Sequence, residues 1–198
     1  MDGGALLQKQ AALGRKYLQE LRKEVTRLAM LADDGVDGTV FAGVAERLEE
    51  PELLERSFRY FSNAIHLAAE LGADRVVVNS GWGYCGEDEA AMWGRCRDHL
   101  GRLCLAAGRE GILLVMESLR QDESNLVYSL ERARRMYEEI HHPNLKMMVD
   151  NIATGAAGET LEDWFQAFGD DLIHMHFLDG DPWLHNVWGD GNTALARQ

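Results

Sequence analysis

Proline is scarce in this chain, at three residues in 198. That rules out a proline-rich linker, and no segment is of low complexity. Cysteine is equally sparse. Cys85, Cys96 and Cys104 make an odd count with no C-x-x-C spacing, which argues against a disulfide framework or a structural zinc site. Cys96 and Cys104 lie eight apart on an expected helix and read as small core residues. No apolar run approaches the ~20 residues that span a bilayer. The opening "MDGGALLQKQ" has neither a basic n-region nor an apolar h-region, so a cytoplasmic protein with no membrane partner is expected. Cations are short too, with 20 Lys and Arg against 33 Asp and Glu and a net charge of −13. Such a mean charge repels phosphate backbones, so no nucleic-acid partner is expected. No G-x-G-x-x-G or G-x-x-x-x-G-K-S/T follows any expected strand, which weakens a nucleotide-binding reading.

What is present is an alternation. In "PELLERSFRYFSNAIHLAAELGADRVVVNSG", apolar residues recur at helical spacing from Leu53 to Ala69, Gly72 follows, and Val76–Val78 form a continuous apolar run. This is a helix closed by a glycine and leading into a buried strand. The pattern repeats: "EDEAAMWGRCRDHLGRLCLAAGREG" then "ILLVME", "NLVYSLERARRMYEEI" then "LKMMVD", and "ETLEDWFQAFGDD" then "LIHMHFLD". Strand starts are expected near residues 76, 112, 145 and 172. Buried strands alternating with helices give an α/β fold, a parallel sheet covered by helices, either doubly wound or closed as a (β/α)8 TIM barrel. A single domain over residues 1–198 is expected. Its first fifty residues hold one legible amphipathic helix, "LLQKQAALGRKYLQELRKEVTRLAML", with a short strand near Leu28–Leu31 and a glycine- and aspartate-rich loop after it. Four clear strands fall short of eight, so the barrel is expected to be incomplete in this chain, lacking its first and last strands.

Three successive strands end on side chains able to bind a metal: Glu117 after "ILLVM", Asp150 after "LKMMV", and His174 and His176 within "LIHMHF". Parallel strands put these ends on one rim, where a barrel carries its active site. Two carboxylates and an imidazole suit Mn²⁺, Mg²⁺, Co²⁺ or Zn²⁺ better than copper or an iron–sulfur cluster. One acid at a strand end is commonplace; three in succession point to a site. His174 and His176 share a face at period two, and one of them would ordinarily be satisfied by a backbone carbonyl.

These residues carry a family resemblance. The chain resembles the sugar phosphate isomerase/epimerase group of xylose isomerase-like TIM barrels, and within it the ketose 3-epimerase and fructoselysine 3-epimerase type. The matching elements are "MESLRQDESN" (Glu117, Glu123, Asn125), "MMVDN" (Asp150), "HMHFLDGD" (His176, with His174 as neighbour), and His185 four residues before "GDG", Gly189 to Gly191. They span about seven-tenths of the chain, from Pro51 to Asn192. The resemblance implies a metal, Mn²⁺ foremost, held by Glu117, Asp150 and His176, which grips the carbonyl and a neighbouring hydroxyl of a ketose. It implies that Glu117 is also the catalytic acid/base, that an enediolate forms, and that a second carboxylate returns the proton on the opposite face. Glu123, Asn125 and His185 would bind the sugar, with Asn125 also supporting the Glu123 loop. Trp82, on the glycine-rich loop "NSGWGYCGED", would stack on a sugar face.

The pattern is not complete. The partner carboxylate belongs on the last barrel strand, yet no glutamate follows Glu162; either the chain is a fragment of a longer enzyme, the favoured reading, or it is a degenerate relative. Many ketose 3-epimerases have a substrate-binding histidine where this chain has Ala153 and an arginine where it has Pro182, which fits a substituted sugar better than a free ketose. A non-catalytic sugar-binding barrel is the main alternative, and a metal-free protein would favour it. An abasic-site endonuclease is the weaker one, since Asn79, Ala153 and Trp183 stand where its extra zinc ligands belong. Unpaired strand edges would leave apolar surface exposed, so self-association into a homo-oligomer is a further expectation.

Overall fold

The computed structural model describes residues 51–83, 86–180 and 185–192, with side chains from residue 54 onward. The chain divides into two compact units between Ser57 and Phe58. Of the first, the described residues are the opening turns of helix α1. The expected N-terminal helix and the strand near Leu28–Leu31 lie outside the described residues, as do Cys85 and Pro182.

The elements run α1 (Pro51–Glu70), β1 (Arg75–Asn79), α2 (Glu89–Arg109), β2 (Leu113–Glu117), α3 (Leu130–Ile140), β3 (Leu145–Asp150), α4 (Asn151–Ala156), α5 (Leu161–Phe168), a 3-10 turn (Gly169–Asp171) and β4 (Leu172–His176). The four strands form one parallel sheet in the order β1-β2-β3-β4. The expected alternation is present, each strand starting within a residue of its expected place. Gly72 ends α1 with a φ of 76°, a conformation costly for a residue with a Cβ. No helix among the described residues is long and apolar enough to cross a membrane.

Two local readings are corrected by capping. Helix α3 starts at Leu130 rather than near Asn125, because the Ser129 hydroxyl accepts from Arg132 N and fixes the helix start there. Residues 125–128 therefore belong to a loop, anchored by the burial of Leu126 and Val127. Helix α4 was not expected; the Asp150 carboxylate nucleates it by accepting from Ile152 N and Ala153 N. At six residues it is too short to show a helical period.

Alternation along the strands sends side chains to two faces. Leu114, Met116, Leu145, Met147 and Val149 join Trp93, Leu100, Leu103 and Cys104 of α2, Ala133 and Met136 of α3, and Trp164 and Phe168 of α5 in one core. Full burial of each large side chain contributes about 1.5–3 kcal/mol. As expected, Cys104 is a core residue, and Cys96 is partly buried against the same core; burial pushes both thiols up to about 12, so neither is a thiolate at neutral pH. The opposite face carries Val115 and Met148 and, at the strand ends, the polar residues of the rim.

A register shift between β3 and β4 decides which side the histidines take. Met147 pairs with Leu172 but Met148 pairs with His174, so Ile173 is skipped. One extra residue reverses the alternation that follows, and His176 comes to lie directly opposite Asp150. The carbonyl of the skipped Ile173 accepts from the Arg75 guanidinium at 2.9 Å. Arg75 belongs to β1, at the far edge of the sheet, so the sheet must curl enough to bring its two edge strands within one side chain of each other. That is the curvature of a barrel wall.

Candidate metal centre

The rim is assembled by register. Asn79 pairs with Glu117 across β1 and β2, and Asp150 with His176 across β3 and β4. One ligand atom from each of Glu117, Asp150 and His176 lies within 4.8 Å of the other two. His176 Nδ1 is 3.1 Å from Glu117 Oε1 and 3.6 Å from Asp150 Oδ2. His185 brings Nε2 to 3.3 Å from the same Asp150 oxygen.

Asp150 is the most enclosed of the three. Its side chain is 4% exposed. Oδ1 accepts from Ile152 N at 2.7 Å and from Ala153 N at 3.1 Å. Oδ2 is buried and makes no hydrogen bond. An unsatisfied buried carboxylate oxygen costs about 1–3 kcal/mol or more, and a divalent cation between Asp150, Glu117 and His176 would remove that cost. The donor set of two carboxylates and an imidazole fits such an ion. Around Glu117, burial raises the carboxyl above its ordinary range, the His176 imidazole draws it back, and Asp150 and Glu123 push it up again.

A cavity of about 420 Å³ opens over the cluster, lined among others by Glu117, Arg120, Glu123, Asp150, His176 and His185. Glu123 is held by Arg120, whose backbone N–H donates to Oε2 at 3.2 Å and whose guanidinium donates to Oε1 at 3.1 Å. Asn125 faces elsewhere. Its Oδ1 accepts from Gly83 N and its Nδ2 donates to Gly83 O, both at 2.7 Å. It therefore pins the loop after β1, on which Trp82 stands 46% exposed and outside the cavity lining. Ser124 adds a second tie, with its hydroxyl 3.0 Å from that of Ser80 and donating to Gly81 O at 2.8 Å. The His174 ring meets His176 edge-on at 5.4 Å.

Two contributors went unrecognised in the sequence. Arg120 sits inside the quoted motif, but only the fold shows its grip on Glu123. Asp179, the acid after H-x-H, is buried and accepts from the backbone N–H of Gly180, Gly189 and Gly191. It holds the Gly189–Gly191 turn, beyond His185, back onto the sheet. A Cβ at Gly191 would collide with the Asp179 carboxylate and the Gly180 backbone; the turn needs glycine there.

Comparison with known proteins places this geometry. A fructoselysine 3-epimerase of Shigella flexneri is 27% identical over 152 residues, covering 76% of this chain and 55% of the relative; the chain thus spans about half that protein's length. The fold superposes on a D-allulose 3-epimerase of Methylomonas sp. with a TM-score of 0.65 at 19% identity, covering 75% of this chain and 52% of the other. It also superposes on the IolI protein with a binding zinc atom, with a TM-score of 0.64 at 20% identity, covering 76% and 56%. The sequence pattern of the xylose isomerase-like TIM barrel matches residues 6–197. With strand ends, curvature and sequence pattern in agreement, the chain belongs to the xylose isomerase-like TIM barrel family.

Proposed function

We propose that this chain forms the metal-binding part of a sugar epimerase or isomerase acting on a ketose or ketose derivative. The observation that carries the proposal is the buried, unbonded Asp150 Oδ2 facing Glu117, His176 and His185. An active-site cation would supply the positive charge that this pair of carboxylates calls for. Glu117, Asp150 and His176 would hold the ion, with Mn²⁺ first among Mn²⁺, Mg²⁺, Co²⁺ and Zn²⁺. Once bound, it supplies Lewis-acid polarisation of a sugar carbonyl and the adjacent hydroxyl.

The remaining roles belong to the side chains. Glu117 removes the proton from the carbon beside the carbonyl. Glu123, fixed by Arg120, accepts hydrogen bonds from sugar hydroxyls. His185 binds the sugar at the open side of the cavity. Asn125 keeps the Trp82 loop in place, so the indole can cover a sugar face from the rim. The likeness to the fructoselysine 3-epimerase supports a sugar substrate.

Loading the chain with Mn²⁺ and incubating it with ketoses in deuterated water tests the reading. Metal binding near one equivalent together with deuterium entering the sugar beside its carbonyl is the expected result. An absence of bound metal, or bound metal without exchange for any ketose, overturns it.

A further inference from the structure

His185 comes from a loop, yet it meets the one atom of the strand-end cluster that needs a partner. Its Nε2 lies 3.3 Å from Asp150 Oδ2, the buried oxygen that makes no hydrogen bond. His176 Nδ1 lies 3.6 Å from the same oxygen. Two imidazole nitrogens thus flank Oδ2, and neither forms a hydrogen bond to it. Nitrogens that share an ion with a carboxylate take such places, because their lone pairs aim at the ion rather than at the oxygen. Adjacent ligand atoms held about 2.0–2.2 Å from a divalent ion stand roughly 2.8–3.6 Å apart, and the His185 spacing falls in that range.

The backbone builds a place for this ring. Asn186, the next residue, pairs with Asp179 as an antiparallel bridge, its N–H donating to the Asp179 carbonyl at 2.8 Å. Asn186 Nδ2 donates to the Asp190 carbonyl at 3.3 Å, and the Asn192 N–H to the Gly180 carbonyl at 2.7 Å. Asp179 follows His176 by three residues, so the chain carrying His185 is fastened beside the end of β4. The side chain itself is 55% exposed and can turn about χ1 and χ2. It lies outside the set of Glu117, Asp150 and His176 atoms that are all within 4.8 Å of one another, and such a turn is what its approach to Glu117 and His176 requires.

Building on the metal-binding reading of this cluster, we infer that His185 is a fourth ligand, joining Glu117, Asp150 and His176 through Nε2. The two ring nitrogens of a histidine are distinct, and a ligating ring keeps an N–H on the other one. For His185 that is Nδ1–H, carried by the most exposed side chain of the four and free to meet a sugar hydroxyl. One residue then serves both the ion and the sugar, and the contact it makes with the sugar depends on the ion being held.

Pulsed electron paramagnetic resonance of the chain loaded with Mn²⁺ tests this by counting the imidazole nitrogens bound to the ion. Two are expected at one equivalent of metal. His185→Ala should lower the count to one and weaken Mn²⁺ binding by about tenfold. His174→Ala, which removes the other ring beside His176, should leave the count at two. A single bound nitrogen in the parent overturns the inference while the metal site stands. So does a second nitrogen that is lost with His174 rather than His185, or a second equivalent of Mn²⁺ that disappears in His185→Ala. If the parent chain binds no Mn²⁺, the metal-binding reading fails, and the inference with it.

Discussion

The two ends of the sheet handle charge in opposite ways. Where β3 and β4 begin, Asp171 accepts from Tyr137 Oη at 2.7 Å and pairs with Lys146. Those partners lower its carboxyl below the ordinary range, Lys146 most strongly. The Tyr137 phenol, through burial and its bond to Asp171, is pushed up to about 12. Arg75 closes on Asp74 and the Ile173 carbonyl. Where the same strands end, Glu117 is raised by burial, and Asp150 keeps a buried oxygen without a hydrogen bond. The first end spends its charges on one another and so contributes stability. The second leaves them short of partners, an arrangement that persists where a ligand completes it.

Several changes would break or sharpen this contrast. The largest effect is expected from Glu117→Gln, which should reduce deuterium exchange into a ketose by about 10²–10⁴-fold without unfolding the sheet. Undiminished exchange would remove Glu117 from the chemistry. Asp150→Asn and His176→Ala should each weaken Mn²⁺ binding by about tenfold or more in titrations followed by elemental analysis; parental metal content in both would dissolve the cluster as a site.

Smaller effects separate the two ends by the sign of their pH dependence. Asp171→Asn should cost about 1 kcal/mol at pH 7, a surface-scale figure because its side chain is 37% exposed. Since Asp171 is depressed in the folded chain, its contribution is present above the unfolded value near 3.8 and is lost as pH falls through the folded one. The stability gap to the variant should therefore close in acid. Glu117 has the opposite sign. Its folded value is raised, so its contribution is complete below the unfolded value of 4.5 and is lost as pH rises through the folded one. Metal-free Glu117→Gln should thus melt above the parent at neutral pH, with the gap closing toward about pH 4.5. Melting curves in which both variants fall on the same side of the parent at neutral pH would cancel the contrast. The smallest change, Asn125→Ala, should increase proteolysis at the Trp82 loop by freeing Gly83, with metal content untouched; unaltered cleavage would show the loop held without Asn125.

Much of this fold could be read directly. Continuous apolar runs such as Val76–Val78 and Leu145–Val149 have no solvated face, and helical periods between them imply parallel strands. Glu117 and Asp150 stood out because each ends such a run on a charge. Other features left no local trace. Asn125 resembles a sugar contact until Gly83 is seen against both ends of its amide. The short α4 has no period to detect, and its cap is the same Asp150 that faces the cluster.

Composition and spacing alone determined the strand order of events along the chain, the parallel sheet and the acids placed at strand ends, because burial period and strand direction are local properties. Tertiary structure decided the rest. The skipped Ile173 turned His176 toward Asp150, and the curl of the sheet brought Arg75 across to the far strand. Each depends on which distant segments meet, and side-chain identity specifies that only after the chain has closed on itself.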